Sequence, residues 1–197
     1  MAKQVWKPST LLNPVPVVLV TCGDDKGNKN VFTVAWAGTV SSKPPRVSIS
    51  IRKSRYSYEI IKRTKEFVIN LTTSKLAYAT DYCGVKSGRD VDKFKEVKLT
   101  LDKATKVLAP IIKESPVNLE CRVDQIIELG SHDMFIAEVL ACHVDDNLID
   151  DEGKLNLDKS DLICYSHGEY WTLDKSLGYF GYSVTKKENL ARNERRK

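Results

Sequence analysis

Residues 46–54 read Arg-Val-Ser-Ile-Ser-Ile-Arg-Lys-Ser. The strict alternation makes 46–52 a β-strand, with Val47, Ile49 and Ile51 on one face and Ser48, Ser50 and Arg52 on the other. The strand runs directly into Lys53 and Ser54, and Ser54 is a good N-cap for a helix reaching about residue 64, with Tyr56, Ile60 and Ile61 on one side. A half-apolar strand of this kind belongs to an antiparallel sheet with one face on a core.

The neighbouring segments extend the sheet. Residues 15–21 and 31–40 read as strands joined by Gly23-Asp24-Asp25-Lys26-Gly27-Asn28, and Ser41-Ser42-Lys43-Pro44-Pro45 ends the second of them. Residues 66–71 form another strand. Short helices are expected near 75–82 and 91–97, joined by Gly84-Val85-Lys86-Ser87-Gly88. Residues 117–129 and 134–145 read as a long hairpin turning at Gly130-Ser131-His132-Asp133. Its second strand is apolar on both faces, which implies a core on one side and a second subunit on the other. The expected architecture is mainly β with short helices. Residues 1–185 make a single domain, and residues 186–197 a basic tail.

That tail accounts for most of the net charge of +5, since it holds Lys186, Lys187, Arg192, Arg195, Arg196 and Lys197 against Glu188 and Glu194. The body is close to neutral, so no nucleic-acid footprint is expected. The apolar runs are far too short for a membrane span and no secretory leader is visible. Five cysteines without a CxxC pair read as reduced thiols of a cytoplasmic protein rather than a zinc or dithiol motif.

Candidate chemistry centres on the same strand and helix. Arg52, Lys53, Ser54 and Ser57 surround a helix N-terminus, whose free N–H groups and macrodipole favour an anion such as a phosphate monoester. The competing reading is a solvent-facing strand followed by an ordinary cap. No P-loop, GxGxxG, GxSxG or EF-hand spacing occurs. The three histidines are too scattered for a metal cluster. His143 reads as structural, and His132, in its turn, is the one placed for ligand contact.

Several segments, in this order and spacing, resemble the flavin reductase-like family of FMN-binding split barrels, and within it the flavoredoxin group. They are Asn30-Val31-Phe32-Thr33-Val34-Ala35-Trp36, Ser41-Ser42-Lys43-Pro44-Pro45, Ser48-Ile49-Ser50-Ile51-Arg52-Lys53-Ser54, Glu66-Phe67-Val68-Ile69-Asn70-Leu71, Ser87-Gly88-Arg89-Asp90-Val91-Asp92-Lys93-Phe94 and Gly130-Ser131-His132-Asp133-Met134-Phe135. The resemblance implies an antiparallel split β-barrel, a homodimer with FMN near the interface, and electron flow from NADH, NADPH or a redox partner protein through the flavin to an acceptor. It implies cofactor contacts at Asn30, Thr33, Val34, Ala35 and Trp36 along the ring. Ser48, Ser50, Arg52, Lys53, Ser54 and Ser57 would hold ribityl and phosphate, while Lys93, His132 and Tyr165 complete the site. No catalytic side chain and no metal are implied, because the flavin carries the chemistry. The alternative is a non-enzymatic protein that binds or stores flavin.

Overall fold

The structure is a computed structural model that describes residues 1–185; the expected basic tail lies outside the described residues. Seven strands form one antiparallel sheet: β2 (Val18–Gly23), β3 (Lys29–Val34), β4 (Ala37–Ser42), β5 (Pro45–Ile51), β6 (Glu66–Leu71), β9 (Val117–Glu128) and β10 (Asp133–Val144). Their spatial order is β3-β2-β6-β9-β10-β5-β4. The two edge strands, β3 and β4, are therefore consecutive in the chain and joined only by Ala35 and Trp36. The sheet must curl until its edges meet across that link, which produces the expected antiparallel split barrel.

One apolar core fills the curl. Val18 and Val20 of β2, Phe32 and Val34 of β3, Val47, Ile49 and Ile51 of β5, Phe67 of β6 and Phe135 of β10 all belong to it. Ser48 and Ser50 stay half-buried on the opposite face, as the alternation requires. Helix α1 (Tyr56–Thr64) inserts Tyr58, Ile60 and Ile61 into the same core, with the Tyr58 ring edge-on to Phe135 at 5.6 Å. A second cluster covers the other face of β2 and β3. There Leu19 and Val31 meet Leu76, Ala79 and Cys83 of helix α2 (Ala77–Val85) and its approach, and Phe94 of helix α3 (Lys93–Glu96). Burial on both faces explains why β2 carries no exposed position.

Two expected strands divide. The reading of 31–40 as one strand is corrected: the chain pairs with β2 as far as Val34, bends, and pairs with β5 from Ala37. Trp36 O accepts from Ser50 N at 2.9 Å across the bend. The segment 15–21 also splits. Strand β1 (Val15–Pro16) pairs with β11 (Ile163–Ser166) in a small sheet completed by β12 (Glu169–Thr172), while β2 enters the barrel. The remaining strands, β7 (Leu101–Asp102) and β8 (Ile111–Ile112), make a two-stranded ribbon.

Helix α1 begins later than Ser54. Its N-cap is Arg55, with extended dihedrals and no side-chain cap, because Arg52 to Arg55 form a turn closed by Arg55 N donating to Arg52 O at 3.0 Å. The hairpin of β9 and β10 has the expected turn, closed by Leu129 N donating to His132 O at 3.0 Å. The outer-face residues Met134 and Ile136 are half-buried while Phe135 and Ala137 are buried. No helix among the described residues is long and apolar enough to cross a membrane.

Candidate functional site

The turn between β5 and α1 creates the site's anion-binding end. An uncapped helix start leaves its first N–H groups without intrahelical partners. The Ser57 hydroxyl stands beside them, held by Asn30 Nδ2, which donates to Ser57 Oγ at 2.8 Å. Both residues are buried, so the edge strand fixes the first turn of the helix. The loop after α2 closes the other side. Gly88 packs so tightly that a Cβ there would overlap the Asn30 side-chain oxygen and come within 2.9 Å of Tyr56 Cδ1. That approach delivers Arg89, which donates to Ser54 O at 3.1 Å and lays its guanidinium 5.5 Å over the Tyr56 ring.

The result is a groove of about 510 Å³ lined by Arg52, Ser54, Arg55, Ser57, Lys86 and Arg89, among others. Past Phe32, Arg52 and Arg55 it opens into a smaller lobe of about 140 Å³. The wall of that lobe runs from Phe32 to Trp36 and includes Ser50 and His132. Asp24 N donates to Asn28 O at 3.0 Å, which sets the register: the backbone groups of alternate residues 28, 30 and 32 face β2. Those of Val31 and Thr33 therefore point to the open edge. Val34 also borders the lobe, although its side chain is buried in the core.

His132 sits in this lobe with its imidazole pushed below the ordinary value, first by burial and then by the Arg52 and Arg55 guanidiniums.

Lys93 lines the groove but does not present a free ammonium. Its Nζ donates to Val31 O at 2.9 Å and Cys83 O at 2.7 Å, tying the edge strand to α2. Burial pushes its amine down to about 8. Ser48 faces a neighbouring apolar groove with Trp36 rather than the anion-binding one, and Ser50 lines that apolar groove and the smaller lobe with His132. Lys53 turns away, to Glu128 at 3.2 Å and Asp133 at 3.6 Å. Tyr165 lies on β11 opposite Val15, against Tyr170, and is not part of either lobe. Arg55, Lys86 and Arg89 are the groove residues that the sequence reading did not single out. Arg89 lay within a quoted motif, but only the packing of Gly88 brings it to the helix.

Comparison with known proteins agrees with this fold. The chain superposes on flavoredoxin of Desulfovibrio vulgaris (Miyazaki F) with a TM-score of 0.86 at 30% identity, covering 93% of this chain and 100% of that one. A flavoredoxin from Methanosarcina acetivorans gives a TM-score of 0.83 at 29% identity, again over 93% and 100%. An NADPH-flavin oxidoreductase of Streptomyces viridifaciens is 28% identical over 64% of this chain and 65% of its own. The family described as flavin reductase like domain matches residues 11–173, which include both edge strands, the anion-binding turn and the histidine-bearing hairpin. The chain belongs to the flavin reductase-like family.

Proposed function

We propose that this protein is an FMN-binding oxidoreductase that passes electrons from NADH, NADPH or a protein donor to an acceptor. One observation carries the reading: an uncapped helix start with Arg52, Arg55, Ser54 and Ser57 opens into a lobe walled by Phe32 and Trp36. A phosphate monoester fits the first part and a flat ring with a polar edge fits the second.

In this reading Arg52 and Arg55 give charge-assisted hydrogen bonds to the phosphate, and the Ser54 and Ser57 hydroxyls add donors. Asn30 fixes the Ser57 rotamer. Thr33, on the open edge of β3, offers its backbone N–H to the polar rim of the ring, and the chain continues to Ala35 along the same wall. Trp36 supplies a flat apolar side, and His132 a polar contact. Lys93 positions β3 from behind. When bound, FMN supplies the one- and two-electron chemistry, and the protein contributes placement, electrostatics and exclusion of water. No side chain is assigned as a general acid or base.

A second copy of the chain would cover the half-buried outer face of β10, next to His132. Five cysteines with no disulfide among them suit a reducing compartment.

The test is the visible spectrum of the purified protein, before and after anaerobic NADH or NADPH. Flavin bands that bleach with a nucleotide support a reductase. Bands that persist until a protein donor is added support a carrier in the manner of a flavoredoxin. Bands that no donor bleaches leave only flavin binding or storage, and absence of any FMN binding overturns the proposal.

A further inference from the structure

His132 reaches the ring lobe from a turn that projects past the end of the sheet. The ladder between β10 and β5 begins at Asp133, opposite Ile51, and runs inward to Glu138, opposite Arg46. Leu129, Gly130 and Ser131 lie beyond that end and are exposed. A Cβ on Gly130, whose φ is +87°, would meet nothing within 4 Å. The turn's own bonds, Leu129 N to His132 O and the Ser131 Oγ to His132 Nδ1 contact at 2.9 Å, stay within it. Where the imidazole sits therefore depends on what holds Asp133, the next residue in the chain.

That hold comes from α1. Asp133 is fully buried, and its Oδ2 accepts from the Tyr58 hydroxyl at 2.6 Å. Tyr58 lies in the first turn of the helix whose start forms the anion-binding end, and its N–H donates to Arg55 O at 3.0 Å. The same Oδ2 stands 3.6 Å from Lys53 Nζ, which also holds Glu128, the residue opposite Asp133 on β9, at 3.2 Å. Lys53 is half-exposed, so its ion pairs contribute little and the buried phenol carries the contact. The hydrogen bond to Asp133 first, and burial second, push the Tyr58 hydroxyl up to about 12, so it remains a donor at neutral pH. Asp133 Oδ1 has no hydrogen-bond partner among the described residues. A buried carboxylate with one oxygen unsatisfied is a poor way to gain stability, since an apolar pair of the same shape avoids that cost. What the pair does achieve is to join the first turn of α1 to the turn that carries His132.

We propose that Tyr58 and Asp133 form a positioning pair that seats His132 against the flavin ring. This rests on the proposed function and deepens it. Neither residue lines the ring lobe, so both act through His132.

The test is a double-mutant cycle of wild type, Tyr58→Phe, His132→Ala and the double variant. It is read by fluorescence titration with FMN and with riboflavin, and by the visible spectrum of bound FMN. Tyr58→Phe keeps the ring edge-on to Phe135 and removes only the hydroxyl. Loss of one hydrogen bond to the ring predicts about a tenfold weaker affinity in His132→Ala, for FMN and riboflavin alike. Tyr58→Phe should lose about fivefold for both flavins, shift the bound-flavin bands in the same direction, and add less than about twofold in the His132→Ala background. If the buried carboxylate left by Tyr58→Phe prevents folding, Tyr58→Phe/Asp133→Leu removes bond and charge together and takes its place in the cycle with the same expectation. Effects that multiply in the double variant overturn the inference, as do wild-type affinities and bands in Tyr58→Phe or in His132→Ala. So does a loss confined to FMN, which places the effect of Tyr58 at the phosphate end. Each of these results leaves flavin binding, and with it the proposed function, standing. A wild type that binds neither flavin removes the proposed function together with this extension.

Discussion

Asn30 on the edge strand donates its side-chain amide to the hydroxyl of Ser57 in the first turn of α1, over 2.8 Å and 27 residues of chain. The bond couples the strand that would flank the ring to the helix that would hold the phosphate. Asn30→Ala leaves the buried Ser57 hydroxyl without its donor and opens space beside Gly88. The expected cost is about 1–3 kcal/mol of stability by denaturant titration, with weaker FMN binding in the same variant.

Gly88 makes the complementary prediction. A methyl group there meets the buried Asn30 side chain, which its bond to Ser57 holds in place, and the half-buried Tyr56 ring. Gly88→Ala should lose about 1–3 kcal/mol and displace Arg89 from Ser54. The check is paired: a lowered denaturant midpoint, and FMN affinity reduced more than riboflavin affinity, because the phosphate end is disturbed first.

Glu120 governs acid stability well away from the site. Its fully buried carboxylate accepts from the backbone N–H groups of Thr105, Lys106 and Val107 at 2.8, 2.6 and 3.1 Å, from the Thr105 hydroxyl at 2.8 Å, and from His143 Nε2. Burial alone would raise its pKa, but these donors, His143 foremost, hold it at about 2, against 4.5 for a free glutamate. The folded pKa is depressed, so the stabilisation is complete above the unfolded value and is lost as pH falls from about 4.5 to about 2. The shift corresponds to about 3 kcal/mol. Glu120→Gln should therefore be less stable than wild type at pH 7, and the difference should shrink across that acid window in pH-dependent denaturant titrations.

The alternation of 46–52 was legible because β5 has one face in the core and one open, and the anion-binding turn was legible because Arg52, Ser54 and Ser57 are neighbours in the chain. The bend at Ala35 and Trp36 was not. Both sides of it have strand-forming residues and no Gly or Pro marks it; only the closure of the sheet demands it. Arg89 reaches the start of the helix through the packing of Gly88 against Asn30, a contact with no local signature. Lys93 was legible as a site residue, but its partners are the backbone carbonyls of Val31 and Cys83, which no residue type announces. Ser48 and Lys53 show the opposite failure. Their spacing puts them beside the anionic turn, yet one faces the apolar groove and the other pairs with Glu128.

Phosphate binding by the helix start between Arg52 and Ser57 is tested most directly by fluorescence titration of wild type and Arg52→Ala with FMN and with riboflavin. Wild type should prefer FMN, and Arg52→Ala should lose about 10- to 100-fold in FMN affinity while binding riboflavin as before, as expected for removal of one charge-assisted hydrogen bond. An Arg52→Ala protein that binds FMN as tightly as wild type, or a wild type indifferent to the phosphate, would contradict phosphate binding at this helix start.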